Sequence, residues 1–184
     1  EMVKKYKKNK NAKPLILMGY YQMIFNYGEH KFIKKCKEVG VNGLIVVDLS
    51  YPDNKKFAQL CKKNSICFVQ LIAPTTNKER IKKIIKISHE MVYMISMIST
   101  TGSALKVTTK KIMENYQLIK KISPSKNVAI GFGITEKTIK SLKKADGLVV
   151  GSAICKEISK SIKSRQNAVT NVTKVVKRLK NKII

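Results

Sequence analysis

The 184-residue sequence has no apolar run near the ~18 residues that a membrane-spanning helix needs, so no span is expected. Its lysine-rich start leads into no apolar block and cleavage site, so no secretory signal is read there. Cys36, Cys61, Cys67 and Cys155 form no Cys-x-x-Cys pair. That argues against a disulfide framework or a metal site, and for free thiols in a reducing, cytoplasmic setting. Acidic residues are scarce, 11 against 38 lysines and arginines, for a net charge of +27. Arginine stands only at Arg80, Arg165 and Arg178, whereas base-edge and phosphate forks favour arginine. The lysines spread along most helices, and aromatics do not interleave with them. The charge is therefore read as lysine serving as the default surface residue, with neither nucleic acid nor membrane as a partner. It should weaken self-association and favour acidic partners or anionic small molecules.

What is present is a set of short apolar runs separated by helical patterns. At this length, with 43% hydrophobic residues, one domain over residues 1–184 is expected. The chain opens on Glu1 within a helical pattern (Met2, Val3, Tyr6), which reads as the end of a longer helix and hence as a fragment. Strands are expected to start at 14, 43, 66, 91, 127 and 147, each a nearly continuous apolar run. Gly19 to Tyr27 reads as an aromatic-rich loop and Ser99 to Ser103 as a small-residue loop. Helices are expected over Gly28–Val39, Asp53–Lys63, Arg80–Ile87 and Thr109–Ile122, from a Thr135 cap to Lys144, and from Ile154 to the end. In the last, Val169, Val172, Val175, Val176 and Leu179 form an apolar stripe suited to packing on a sheet.

Six alternating βα units mean a parallel sheet covered on both faces. A doubly wound dinucleotide fold would put a glycine-rich turn after the first strand, but Met18-Gly19-Tyr20-Tyr21 stands there. The glycines come late instead: Gly131-Phe132-Gly133 after the fifth run and Gly151-Ser152 after the sixth, the latter opening a helix. Helix N-termini suit phosphate, and a β/α barrel often builds its phosphate site after its last two strands. The fold class is therefore α/β, of the TIM (β/α)8 barrel family. A whole barrel has eight units and about 250 residues, so six units imply two missing.

Several stretches together, in order and spacing, resemble the tryptophan synthase α subunit family. They are Pro14-Leu15-Ile16-Leu17-Met18-Gly19-Tyr20-Tyr21, Gly43 to Leu49, Ala73-Pro74-Thr75-Thr76 with Arg80-Ile81, Val92-Tyr93 with Ser96, Thr101-Gly102, Gly131 to Ile134, and Ala145-Asp146-Gly147 with Gly151 to Ile154. The resemblance implies a lyase without a cofactor that cleaves indole-3-glycerol phosphate to indole and glyceraldehyde 3-phosphate in tryptophan biosynthesis. It implies a β-subunit partner in an α2β2 tetramer, and strands corresponding to the family's third to eighth. Gly102, Gly133, Gly151 and Ser152 match its phosphate-binding positions. Tyr93 and Phe132 match its indole pocket, and Thr101 its mobile loop.

The family's catalytic glutamate and aspartate belong to its first two βα units. No catalytic residue is therefore expected here, and the chain alone is expected to be inactive. Asp48 ends a strand but matches a segment near the β-subunit interface. Departures fall at Ser96 to Thr101, where the family's arginine and first glycine are replaced, at Gln22-Met23 in place of Asn-Pro, and at Asp48 to Asp53. The first puts loop closure in question and the others partner docking. Two alternatives remain open: another phosphate-binding barrel, such as a sugar-phosphate isomerase or epimerase, and an inactive fragment that only binds the β subunit.

Overall fold

The computed structural model describes residues 1–95, 97–100, 103–106, 108–131, 134 and 138–183, with the backbone alone at 97–100 and 103–106. The chain divides into two compact units, Glu1–Leu71 with Asn77–Val92, and Ile72–Thr76 with Tyr93–Ile184.

The first unit is built on three parallel strands, β1 (Ile16–Gly19), β2 (Gly43–Val46) and β3 (Cys67–Phe68), in that order. β1 pairs with β2 from Ile16↔Gly43 to Gly19↔Val46, and Leu44 sits opposite Phe68. Every residue of β2 is buried, as a continuous apolar run requires. Four helices belong to this unit besides α1 (Met2–Lys7): α2 (Tyr21–Tyr27), α3 (Glu29–Val39), α4 (Lys55–Lys63) and α5 (Lys78–Ile87). α3 buries Ile33 and Cys36, and α4 buries Phe57, Ala58 and Cys61. Phe57 meets Phe68 edge-on with ring centroids 5.6 Å apart. Such a pair contributes about 0.5–1.5 kcal/mol beyond its area. α5 starts as expected, with Asn77 Oδ1 accepting the Arg80 N–H at 2.9 Å.

The expected loop from Gly19 to Tyr27 is instead largely helix α2. Its first turn has no cap of its own; Asp48, at the end of the next strand, accepts the Tyr21 N–H through Oδ1 at 2.6 Å. Ile24 is buried beneath the helix. A cap 27 residues downstream and a tertiary contact override a run of weak helix formers. An apolar cleft of about 570 Å³ opens against β1, lined by Leu17, Met23, Ile24, Phe32 and Leu44 among others.

A second sheet has the order β4 (Gln70–Ile72), β5 (Met91–Ile95), β8 (Asn127–Gly131), β9 (Gly147–Val149). The strand expected at 66 is thus split at Val69, and the other five start at or within two residues of their expected positions. β8 and β9 are parallel, from Ala129↔Gly147 to Gly131↔Val149. Where a loop was expected from Ser99 to Ser103, β6 (Met97–Thr100) and β7 (Ser103–Lys106) form an antiparallel hairpin. α6 (Thr109–Ile122) is capped by Thr108 Oγ1, which accepts the Lys111 N–H at 3.3 Å. Of the helix expected up to Lys144, the described part is a 3-10 turn, Ile139–Leu142, with both end residues buried; Thr135 lies outside the described residues.

The expected terminal helix is two, α7 (Ser152–Lys163) and α8 (Ala168–Lys180), since Asn167 caps the second by accepting the Thr170 N–H at 3.0 Å. Their seam holds a fully buried Ser161, whose Oγ accepts from Asn171 Nδ2 at 3.1 Å. Val175 and Leu179 of the expected stripe are buried, but Val169 and Val176 are exposed, because only one narrow side of α8 meets the rest of the unit.

Asp146 ties the second unit together just ahead of β9. Its carboxylate accepts from Val128 N–H at 2.9 Å, Tyr116 Oη at 3.1 Å and Lys120 Nζ at 3.1 Å. Partial burial pushes this carboxyl up, but the Val128, Lys120 and Tyr116 hydrogen bonds outweigh it and hold it below the usual aspartate value. Lys35–Glu38, Lys82–Glu79 and Lys111–Glu114 are exposed i,i+3 ion pairs on helices and contribute little. No helix among the described residues is long and apolar enough to cross a membrane.

Candidate phosphate-binding site

The site expected from the sequence draws on the ends of β5, β8 and β9. β8 lies between the other two in strand order. Gly131 sits opposite Val149, so β8 and β9 end at matching depth, the second of them two residues before Gly151.

Gly151 is the N-cap of the twelve-residue helix α7, and Ser152 is its first residue. Gly151 O accepts from the N–H groups of Ile154 and Cys155, at 3.0 and 3.1 Å, and no side chain caps this end. The N–H groups ahead of those two belong to the helix's unpaired first turn, and the helix dipole adds a partial positive charge. Gly151 and Ser152 are both exposed, and a β-carbon on Gly151 would meet nothing within 4 Å. This helix start can therefore receive an anion through backbone donors and the Ser152 hydroxyl.

Tyr93, in β5, is buried, and burial raises its phenol above the usual value. The end of its ring, Oη, Cζ and Cε2, occupies the space that a β-carbon on Gly131 would take. The structure thus brings Tyr93 against the end of β8, one residue before Phe132. Gly131's role as the floor under Tyr93 was not visible in the sequence, since it depends on β5 and β8 being neighbours. Phe132, Gly133, Thr101 and Gly102 lie outside the described residues.

Asp48, exposed at the end of the β2 run, serves as the α2 cap. At the N-cap and along the helix that it caps, Tyr20, Met23, Phe25 and Tyr27 are large side chains left exposed. The four cysteines are free. Burial pushes the Cys36 thiol up to about 11 and the Cys61 thiol up to about 12.

The full length of the chain, residues 1–184, matches the family model described as "Tryptophan synthase alpha chain". The chain belongs to the tryptophan synthase alpha chain family. It is 65% identical over 182 residues to the tryptophan synthase alpha chain of Pelagibacter ubique, covering 99% of this chain and 69% of that one. To the alpha chain of Methanocaldococcus jannaschii it is 37% identical over 166 residues, covering 88% of this chain and 58% of that one. Its fold matches the crystal structure of the Legionella pneumophila alpha chain with a TM-score of 0.84 at 27% identity, over 99% of this chain and 67% of that one. It also matches a chain from the tryptophan synthase a2b2 complex of Pyrococcus furiosus, with a TM-score of 0.78 at 32% identity, over 99% and 69%. The chain therefore spans roughly three-fifths to two-thirds of the length of these relatives. Its α/β fold is that of known alpha chains over the shared part, and family membership sets aside the sugar-phosphate isomerase reading.

Proposed function

We propose that this chain serves the α reaction of tryptophan synthase, the cleavage of indole-3-glycerol phosphate to indole and glyceraldehyde 3-phosphate, and that it carries the holding side of that site. The observation that carries this reading is the uncapped, open N-terminus of α7 at Gly151-Ser152, beside the β8 end where Tyr93 is seated. In this reading Gly151 and Ser152, with Gly102 and Gly133, bind the phosphate. Tyr93 and Phe132 flank the indole, and Thr101 belongs to the loop that covers it. The strands correspond to the family's third to eighth, in a single partial barrel. The 184 residues by themselves do not cleave the substrate, because the proton-transferring carboxylates belong to the family's first two βα units. The exposed Tyr20, Met23 and Phe25 beside the Asp48-capped helix supply apolar area for a β subunit.

Gly151→Asp tests the phosphate reading. The new side chain enters open space at a residue whose φ is not left-handed, so the fold is expected to be kept while a negative charge occupies the anion position. Glycerol 3-phosphate binding, followed by calorimetry, is expected to be abolished in Gly151→Asp and weakened several-fold in Ser152→Ala. Unchanged binding in Gly151→Asp would refute the site. Indole release by the purified chain, with or without β subunit, would refute its inactivity.

A further inference from the structure

Cys67, His89 and Glu90 belong to no part of the phosphate site, yet each brings one ligand atom to within 4.8 Å of the other two. The sequence hides this cluster, because Cys67 opens β3 while His89 and Glu90 lie just before β5. The Cys67 thiol hydrogen-bonds to the Glu90 carboxylate. In the metal-free chain His89 Nδ1 accepts the Phe68 N–H at 2.9 Å, which puts the ring at the strand start beside Cys67. One sulfur, one ring nitrogen and one carboxylate oxygen make a borderline-soft donor set. It suits Zn²⁺ and disfavours Mg²⁺ and Ca²⁺, which take oxygen ligands.

We propose that Cys67, His89 and Glu90 form a three-ligand site for a thiophilic divalent cation of the Zn²⁺ class, which staples the start of β3 to the turn before β5. Binding forms a sulfur–metal bond and releases the Cys67 proton to solvent; the carboxylate and one ring nitrogen of His89 complete the set. His89 stays neutral, so the cation takes one ring nitrogen and the proton takes the other. Whichever nitrogen is used, Phe68 N–H loses its acceptor. Binding therefore has a signature on a residue that is not itself a ligand.

The test titrates the metal-free 184-residue chain with Co²⁺, then displaces it with Zn²⁺. The expected results are a cobalt–thiolate charge-transfer band at one equivalent, loss of that band with Zn²⁺, and a large shift of the Phe68 amide resonance. Cys67→Ser is expected to abolish the band. Glu90→Gln, an exposed and nearly isosteric change, should weaken Zn²⁺ by at least the roughly 10- to 100-fold that even outer-shell partners contribute. Cys155→Ser, at the exposed thiol on α7, should leave the band intact. Absence of the band in the unaltered chain, its survival in Cys67→Ser, or an unmoved Phe68 amide would each overturn the proposal. Because the unaltered chain carries two of these readouts, the proposal stays falsifiable if Cys67→Ser does not fold.

Discussion

Gly131→Ala isolates one contact at the candidate site. The added carbon would overlap Oη, Cζ and Cε2 of Tyr93, a buried ring that can leave only by turning out of β5's packing or pushing β8 away. Overpacking of this kind costs about 1–3 kcal/mol. The backbone at Gly131 lies outside the left-handed region, so the alanine is otherwise acceptable there. Without the ring, the same change would stabilise by about 0.4–1 kcal/mol through the unfolded chain. The sign of the effect therefore reports on Tyr93. With a urea dependence of about 1–3 kcal/mol per M, a loss near 2 kcal/mol lowers the unfolding midpoint by about 1 M. Tyrosine fluorescence and circular dichroism suit the measurement, since the chain has no tryptophan. Tyr93→Leu removes all three overlapping atoms. In that background Gly131→Ala is expected to be neutral or stabilising, giving a coupling of at least ~1 kcal/mol in a double-mutant cycle. Additive effects of the two substitutions would refute the reasoning.

Asp146→Ala leaves the Val128 N–H and Tyr116 hydroxyl without their acceptor and should cost about 1–3 kcal/mol. The Asp146 carboxyl titrates lower in the folded chain than in the unfolded one, so its stabilisation is full above the ordinary aspartate value near ~3.9 and is lost as pH falls through the folded value. Urea melts at pH 7 and pH 3 should therefore show the gap between the parent and Asp146→Ala narrowing in acid; a constant gap would count against the network. Asp48→Ala removes the only side-chain cap seen on α2 and should cost about 1 kcal/mol, with hydrogen exchange quickening first in Tyr21–Tyr27 and little change elsewhere. At pH 8 a thiol reagent should label exposed Cys155 at once and Cys36 and Cys61 only on unfolding, because both are buried with thiols raised to about 11 and about 12; rapid labelling of all four would contradict the packing of the first unit.

The strands were legible because a strand covered on both faces needs an uninterrupted apolar run, and Leu44-Ile45-Val46 or Val128-Ala129-Ile130 can be little else. Helix starts were legible where the cap is local, as at Asn77. Helix α2 was not, because its cap, Asp48, arrives from the next strand. The apolar stripe of α8 was overread: spacing marks a face, but only burial shows that Val169 stands in solvent and Val175 does not. At the candidate site, the helix start at Gly151-Ser152 could be read directly, since a helix start after an apolar run depends only on local order. The Tyr93–Gly131 contact could not, since the two residues meet only through the order of strands. The cluster at Cys67 was missed for the same reason.

The imbalance between lysines and carboxylates sets how this chain behaves in a test tube. Charge repulsion works against its folded state, so added salt should firm the fold rather than loosen it until the Debye length falls below the spacing of neighbouring lysines. Polyanions do the same job more strongly. Nucleic acid from a cell extract, or a heparin resin, is expected to hold the chain non-specifically through surface ammonium groups outside the candidate site at α7. Such material should come away at moderate ionic strength, and a preparation freed of it is the proper starting point for measuring phosphate binding.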